Sequence, residues 1–266
     1  MQRAGTRLIA MSSAGPRTSK QITNPLRTSV ISSSSGTHAM AKKLDLHTKY
    51  RLNSGYEIPI LGFGVYQTPA SVTEDVVTHA LNVGYRHVDS ATVYRNEAPS
   101  ASALKKSGIP REELFFTSKV PPRSMSHALA AAAVDETLRK TGLDYVDLYL
   151  LHAPYGGKEG RLGAWKALVE AVEAGKVRSI GVSNYGVHHL EELERWMEET
   201  EAREGQGKGG VLSVNQVELH PWLARPDIVQ WCEKRGVILE VLGQIWDKRH
   251  ELMSGRHTRP SCEDSA

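Results

Sequence analysis

Four side chains in this chain could together move a proton onto a carbonyl oxygen: Asp89, Tyr94, Lys119 and His152. A tyrosine with its ordinary pKa of about 10 is a poor acid at neutral pH. An ammonium beside it favours the phenolate and lowers that pKa. A carboxylate paired to the ammonium keeps it charged and fixed, which limits its desolvation cost. A histidine at the same point donates a hydrogen bond and orients the carbonyl oxygen. Such a set is a tunable proton donor, which any enzyme delivering hydride to the adjacent carbon needs. Taken singly, each residue has an ordinary explanation. Asp89 could pair with Arg86, Tyr94 could be loop packing, and His152 could be a satisfied core histidine. Lys119 is harder to dismiss, because burying an unpaired lysine is costly.

Position is what joins them. The stretch His87 to Glu97 starts as a buried strand with Asp89 at its end, then turns through a loop presenting Tyr94, and a helix opens near Asn96. The strands expected next also end in polar residues: Lys119, His152, Ser183-Asn184 and Gln216. Upstream, Asn53-Ser54-Gly55 reads as the turn of a hairpin, and Ile60 to Gln67 as an apolar strand carrying two glycines. Ser71 and Glu74 have the spacing of a capping box for a helix closed by Gly84. Strands are expected over 114–120, 145–152, 179–184 and 211–219, with a seventh beginning at 237–242. The helices between them cover 128–140, 163–174, 187–200 and 226–235. Units of about 30 residues alternating strand and helix predict a parallel sheet of right-handed βαβ units.

Two layouts use such units, a doubly wound open sheet and a barrel. A doubly wound dinucleotide fold needs G-x-G-x-x-G after its first strand, and Gly62-Phe63-Gly64 lacks the third glycine. Polar residues recurring at strand ends favour the barrel, whose catalytic groups come from the C-terminal ends of several strands. The expected fold is therefore an α/β TIM barrel. A metal-dependent barrel hydrolase built on His152, Asp89 and His220 is disfavoured, because no His-x-His stands in the first strand. No metal ligand set is assigned.

Composition excludes other classes. The chain has 266 residues, 40% of them hydrophobic, and a formal net charge of +3, which suits one globular domain. Basic residues alternate with acids (Arg111-Glu112-Glu113, Glu233-Lys234-Arg235), a solvated surface rather than a nucleic-acid patch. Two cysteines, Cys232 and Cys262, suggest neither a disulfide framework nor a metal site and fit a reducing compartment. No apolar run reaches the roughly 18 residues that span a membrane. Residues 1–44 contain several Arg and Lys, no Asp or Glu, and the run Ser32 to Ser35. They read as a disordered or targeting extension outside the fold. A cytoplasmic location is expected, with a mitochondrial one as the alternative.

The ordered set of motifs resembles the aldo-keto reductase family. It runs Gly84-Tyr85-Arg86-His87-Val88-Asp89-Ser90-Ala91 with Tyr94-Arg95-Asn96-Glu97, then Thr117-Ser118-Lys119-Val120 and Leu151-His152-Ala153-Pro154. Gly181-Val182-Ser183-Asn184 and Asn215-Gln216-Val217-Glu218-Leu219-His220-Pro221 follow. The resemblance implies Tyr94 as proton donor, Asp89 and Lys119 tuning it, and His152 placing the substrate carbonyl. Ser183, Asn184 and Gln216 would hold the nicotinamide carboxamide of NADPH (NADP+ in the reverse direction), with NADH as the alternative cofactor. It implies a small-molecule carbonyl substrate, with Tyr66 and Trp222 as candidate pocket walls. Ala153 and Pro121-Pro122 stand where tryptophan and an aromatic are frequent in the family, which reshapes the pocket and spares the chemistry.

After Glu240 the resemblance stops. Leu242 stands where the family places a tyrosine on the nicotinamide, and residues 243–266 show no sustained period and read as a disordered tail. The barrel, spanning 45–242, is thus expected to be incomplete, with strand 8 and the last helices missing. Its two open edges would then favour poor folding or self-association. Loss of the family's basic segment would weaken the grip on the 2′-phosphate of NADPH. The rival to a working reductase is a truncated, inactive or partner-binding relative.

Overall fold

The computed structural model describes the backbone of residues 8–13 and the chain over 44–242. In chain order the strands are β1 (Leu8–Ser13), the hairpin pair β2 (Lys49–Arg51) and β3 (Glu57–Pro59), and then β4 (Leu61–Gly64), β5 (His87–Asp89), β6 (Phe115–Val120), β7 (Val146–Leu151), β8 (Val177–Ser183), β9 (Leu212–Glu218) and β10 (Ile238–Leu242). Among the described residues six helices follow β4 to β9: α1 (Ala70–Asn82), α2 (Glu97–Lys106), α3 (His127–Thr141), α4 (Gly157–Glu173), α5 (Val187–Glu204) and α6 (Pro226–Arg235). Strands β4 to β10 pair in sequence order, all parallel. These are the seven strands of an α/β TIM barrel.

The eighth place, expected to stand open, is taken by β1. It pairs in parallel with β10 on one side (Ile9 opposite Glu240) and with β4 on the other (Met11 opposite Gly62), so the ring closes. This corrects the exclusion of all of residues 1–44 from the fold, and it pairs both edges that were expected to drive self-association. The physical reason is edge satisfaction: β4 and β10 each present a row of N–H and C=O groups that need partners. The short run Leu8-Ile9-Ala10-Met11 was hidden by the basic, serine-rich composition around it. Residues 1–7, 14–43 and 243–266, the last being the expected disordered tail, lie outside the described residues.

Side chains alternate along the strands, broken by one register shift between β8 and β9 at Ile180–Gly181. Phe115, Leu148, Leu150, Val214 and Ile238 point into the barrel and pack on Leu52 and Ile58, so the β2–β3 hairpin plugs the N-terminal end. Phe116, Tyr149, Leu151, Val217 and Leu239 point outward into the larger core beneath the helices. Going up the barrel, the inward positions turn from apolar to polar: Thr117, then Asp89, Lys119, Gln216 and Glu240, all buried. Gly181 is the close approach in the wall, where a Cβ would sit 2.4 Å from the Val214 carbonyl oxygen and 2.9 Å from Leu150.

Local details depart from the sequence reading in instructive ways. Ser71 makes no capping box, because α1 starts at Ala70 after Pro69 and no side chain caps it. Glu74 instead pairs with Lys106 on α2. α3 does carry a side-chain cap, Ser126 accepting from the Leu129 N–H at 3.4 Å. α4 begins six residues before Gly163, directly after Gly156 in the left-handed region (φ 82°).

Candidate active site

Asp89 and Lys119 reach the same point because β5 and β6 are neighbours in register, Asp89 opposite Thr117. Lys119 Nζ donates to Asp89 Oδ1 at 2.5 Å and to the Ser90 carbonyl at 2.8 Å. The same Nζ lies over the Tyr94 ring, 5.2 Å from its centroid. On the far side Gln216 Nε2 donates to Asp89 Oδ2 at 3.0 Å, so both carboxylate oxygens are held. Tyr94 Oη lies 3.5 Å from His152 Nε2, with the two rings edge to face.

The loop that carries Tyr94 is fastened at both ends. Ser90 Oγ donates to Asn96 Oδ1 at 2.7 Å, and Asn96 Nδ2 donates to the carbonyls of Val65 and Thr68 at 2.8 and 3.0 Å. Thr92 Oγ1 donates to the Lys119 carbonyl at 3.0 Å. Asn96 is therefore a buried staple across two loops, not merely the opening of a helix. A loop phenol must be fixed this firmly to act as a directed proton donor.

Burial dominates the electrostatics. It raises the Tyr94 phenol above its ordinary value, with Lys119 opposing that shift and losing. The expectation of a net lowered pKa is corrected, so Tyr94 holds its proton in the free protein. For Lys119, burial pulls downward, but Asp89, Tyr94 and Glu240 together raise the ammonium above its usual range. His152 is pushed down to about 3 by burial and then by Lys119, so its imidazole is neutral.

The remaining expected site residues divide. Ser183 lies opposite Gln216 on the adjacent strand. Asn184, in the left-handed region at φ 61°, donates through Nδ2 to the His152 carbonyl at 3.1 Å and to Ser183 Oγ at 3.1 Å. Tyr66 stands 5.0 Å from Tyr94, ring centroid to ring centroid. Trp222 is 83% exposed, with its ring 6.0 Å from that of His220 and no ring contact to Tyr94 or His152 among the described residues. Gln216 Oε1 is buried with no partner among the described residues. An orphaned amide acceptor beside Ser183 and Asn184 suits a carboxamide, so the three residues fit the nicotinamide end of a dinucleotide. Sequence reasoning overlooked Glu240, buried at the foot of this cluster; its alternation with Ile238 along β10 was the available clue.

Similar proteins point to one family. Residues 61–243 match the family model described as "Aldo/keto reductase family". The chain is 40% identical over 196 residues to an aldo-keto reductase of Mycolicibacterium smegmatis, covering 73% of this chain and 67% of the relative. It is 39% identical over 203 residues to the glyoxal reductase of Bacillus subtilis, covering 74% and 69%. A crystal structure of an aldo/keto reductase from Brucella melitensis superposes with a TM-score of 0.67 at 34% identity, covering 79% of each chain. The chain thus spans about two thirds of the length of these two curated relatives. With the family's motifs in order and their side chains gathered at one barrel mouth, the chain belongs to the aldo/keto reductase family of oxidoreductases.

Proposed function

We propose that this chain reduces aldehydes or ketones to alcohols, with Tyr94 giving the proton to the carbonyl oxygen. The observation that carries the reading is Lys119 Nζ fixed by Asp89 at 2.5 Å beside the Tyr94 ring, with Tyr94 Oη and His152 Nε2 only 3.5 Å apart. NADPH, when bound, would supply the hydride, with Ser183, Asn184 and Gln216 holding its carboxamide. A carbonyl oxygen seated between Tyr94 and His152 receives two hydrogen bonds, one from the phenol and one from a neutral imidazole protonated at Nε2. As negative charge develops on that oxygen, the Tyr94 proton moves to it and the product is an alcohol. The phenolate left behind faces a permanent ammonium, which stabilises it at that moment. Solvent then returns the proton to Tyr94.

His152 is neutral over the working pH range because its pKa lies near 3. It therefore acts as a neutral hydrogen-bond donor and does not compete with Tyr94 as an acid. Ala153 beside it, and Tyr66 across from Tyr94, would line the mouth that takes small carbonyl compounds.

The test is NADPH oxidation by the full chain in the presence of a reactive aldehyde. Wild-type protein is expected to turn over, and Tyr94→Phe to lose about 10²- to 10⁴-fold, the usual worth of general acid catalysis. Nucleotide binding, followed by fluorescence, should survive the substitution. Binding without turnover in the wild type, or an undiminished rate in Tyr94→Phe, overturns the reading.

A further inference from the structure

Among the described residues, Glu240 is the one acid of the barrel interior that the chemistry above does not use. It is fully buried on the inward face of β10, and both carboxyl oxygens have no hydrogen-bond partner among the described residues. Its pairing partner in the sheet is Gln216 on β9, whose Oε1 is also buried and unpartnered. Gln216 Nε2, in turn, donates to Asp89 Oδ2 at 3.0 Å. The charged or titratable groups facing Glu240 are Asp89 from β5 and Lys119 from β6, with the neutral Gln216 from β9.

An ionised Glu240 would only accept hydrogen bonds. It would set a second carboxylate near Asp89 with a single ammonium between them, and leave Gln216 Oε1 with nothing to accept from. A protonated Glu240 reverses each of these faults. It supplies the missing donor, leaves Asp89 as the sole partner of Lys119, and uses one of the two lone pairs on Gln216 Oε1, so that the other stays open toward the mouth.

We propose that Glu240 is a positioning residue: it keeps its proton, donates it in a hydrogen bond to Gln216 Oε1, and so locks the Gln216 amide with Nε2 on Asp89. The chain of contacts then runs Glu240–Gln216–Asp89–Lys119–Tyr94, from the closing side of the barrel to the proton donor. Burial and then the Asp89 charge raise the Glu240 carboxyl well above the usual carboxylate range, in the direction this requires. When Glu240 ionises at high pH the first link breaks, the amide can turn over, and Asp89 loses one of its two anchors. The catalytic consequence rests on the reductase reading, whereas the proton on Glu240 does not.

Two measurements on the full chain separate these. Infrared spectra of the cofactor-free protein at neutral pH should show a carboxylic-acid carbonyl band that fades as the pH is raised and is missing in Glu240→Gln. If that band is absent from the wild type, or unchanged in Glu240→Gln, the proposal is wrong whether or not the chain is a reductase. In turnover assays, Glu240→Gln still donates to Gln216 and should retain activity, with the alkaline fall in kcat moved to higher pH. Glu240→Leu, which cannot donate, should lose roughly ten- to a hundredfold in kcat at every pH, with the KM for the carbonyl substrate little changed. A purely structural role would make both variants equally poor and leave the pH profile in place. Superimposable wild-type and Glu240→Gln profiles would overturn the coupling to catalysis.

Discussion

Ser118 and Lys119 are neighbours in β6, face opposite sides of the sheet, and belong to two buried polar networks of opposite character. Outside the barrel, Ser118 Oγ and Thr137 Oγ1 both donate to Glu97 Oε1 at 2.6 and 2.8 Å, and Thr137 Oγ1 lies 2.8 Å from Tyr149 Oη. With the Thr137 proton on Glu97, the single Tyr149 proton serves Thr137 Oγ1 and is shared with the Ala133 carbonyl at 3.1 Å. This network ties α2 and α3 to β6 and β7, and none of its atoms is among the buried unpartnered ones. Inside the barrel, the cluster around Lys119 contains four such atoms, Gln216 Oε1, both oxygens of Glu240 and His152 Nδ1. A satisfied network holds helices in place; an unsatisfied one, maintained at a cost in stability, is where ligands and protons are handled.

The sharpest break of this contrast is Lys119→Met. It leaves Asp89 buried without its cation and should cost about 3–5 kcal/mol of stability, together with turnover. Denaturant unfolding and the aldehyde assay read the two losses. Asp89→Asn in the same background should recover part of the stability and none of the activity, because it removes the orphaned charge without restoring the ammonium. On the outer side, Thr137→Val should cost about 1–3 kcal/mol by leaving Glu97 and Tyr149 short of a partner. There kcat should stay at its wild-type value. An outer-network variant that lowered kcat as strongly as it lowered stability would erase the distinction.

Sequence reasoning located the inner cluster because its members sit at strand ends, where a polar residue after an apolar run is visible. Asp89, Lys119, His152 and Gln216 all carry that mark. Glu240 does not, because the motif resemblance ends on it and it reads as a boundary, although the family match continues to residue 243. The outer network was equally hidden: Ser118, Thr137 and Tyr149 are ordinary strand and helix residues, and only tertiary packing gives them a common acceptor. In the sequence Asn96 reads only as a helix start, since nothing local shows that Val65 and Thr68 present their carbonyls to it. The seven parallel strands were legible from the alternation of elements; β1 was not, because pairing across more than two hundred positions of chain leaves no local trace.

That long-range strand supplies an intermediate prediction. Ala10→Pro removes an N–H from the middle of β1, between β10 and β4, and proline is not accommodated in a central strand. The substitution should lower stability by about 1–3 kcal/mol through unpaired groups on the neighbouring strands. It should also promote concentration-dependent association, seen by light scattering, through the reopened edges. Unchanged stability and a monodisperse solution would show that Leu8–Ser13 is not what closes the ring.

The smallest effect expected is on acid sensitivity, and it also falls on the inner side. Burial, then Lys119, pushes His87 down to about 3, and Nε2 of its ring lies 2.9 Å from Thr117 Oγ1 below the catalytic layer. Its folded pKa is lower than the value of about 6.5 in the unfolded chain. The unfolded state therefore binds more protons between those limits, and stability rises with pH across the window. The contribution is complete above about 6.5 and is lost as the pH falls toward 3. His152 adds a slope of the same sign in the same range, damped by its partial exposure. Replacing His87 by Gln keeps a hydrogen-bonding side chain and removes the titration, so its melting temperature should fall less steeply on acidification than that of the wild type. Equal slopes would mean that the lower barrel admits enough water to let His87 charge without unfolding, and the distinction between a sealed base and an open mouth would have to be withdrawn.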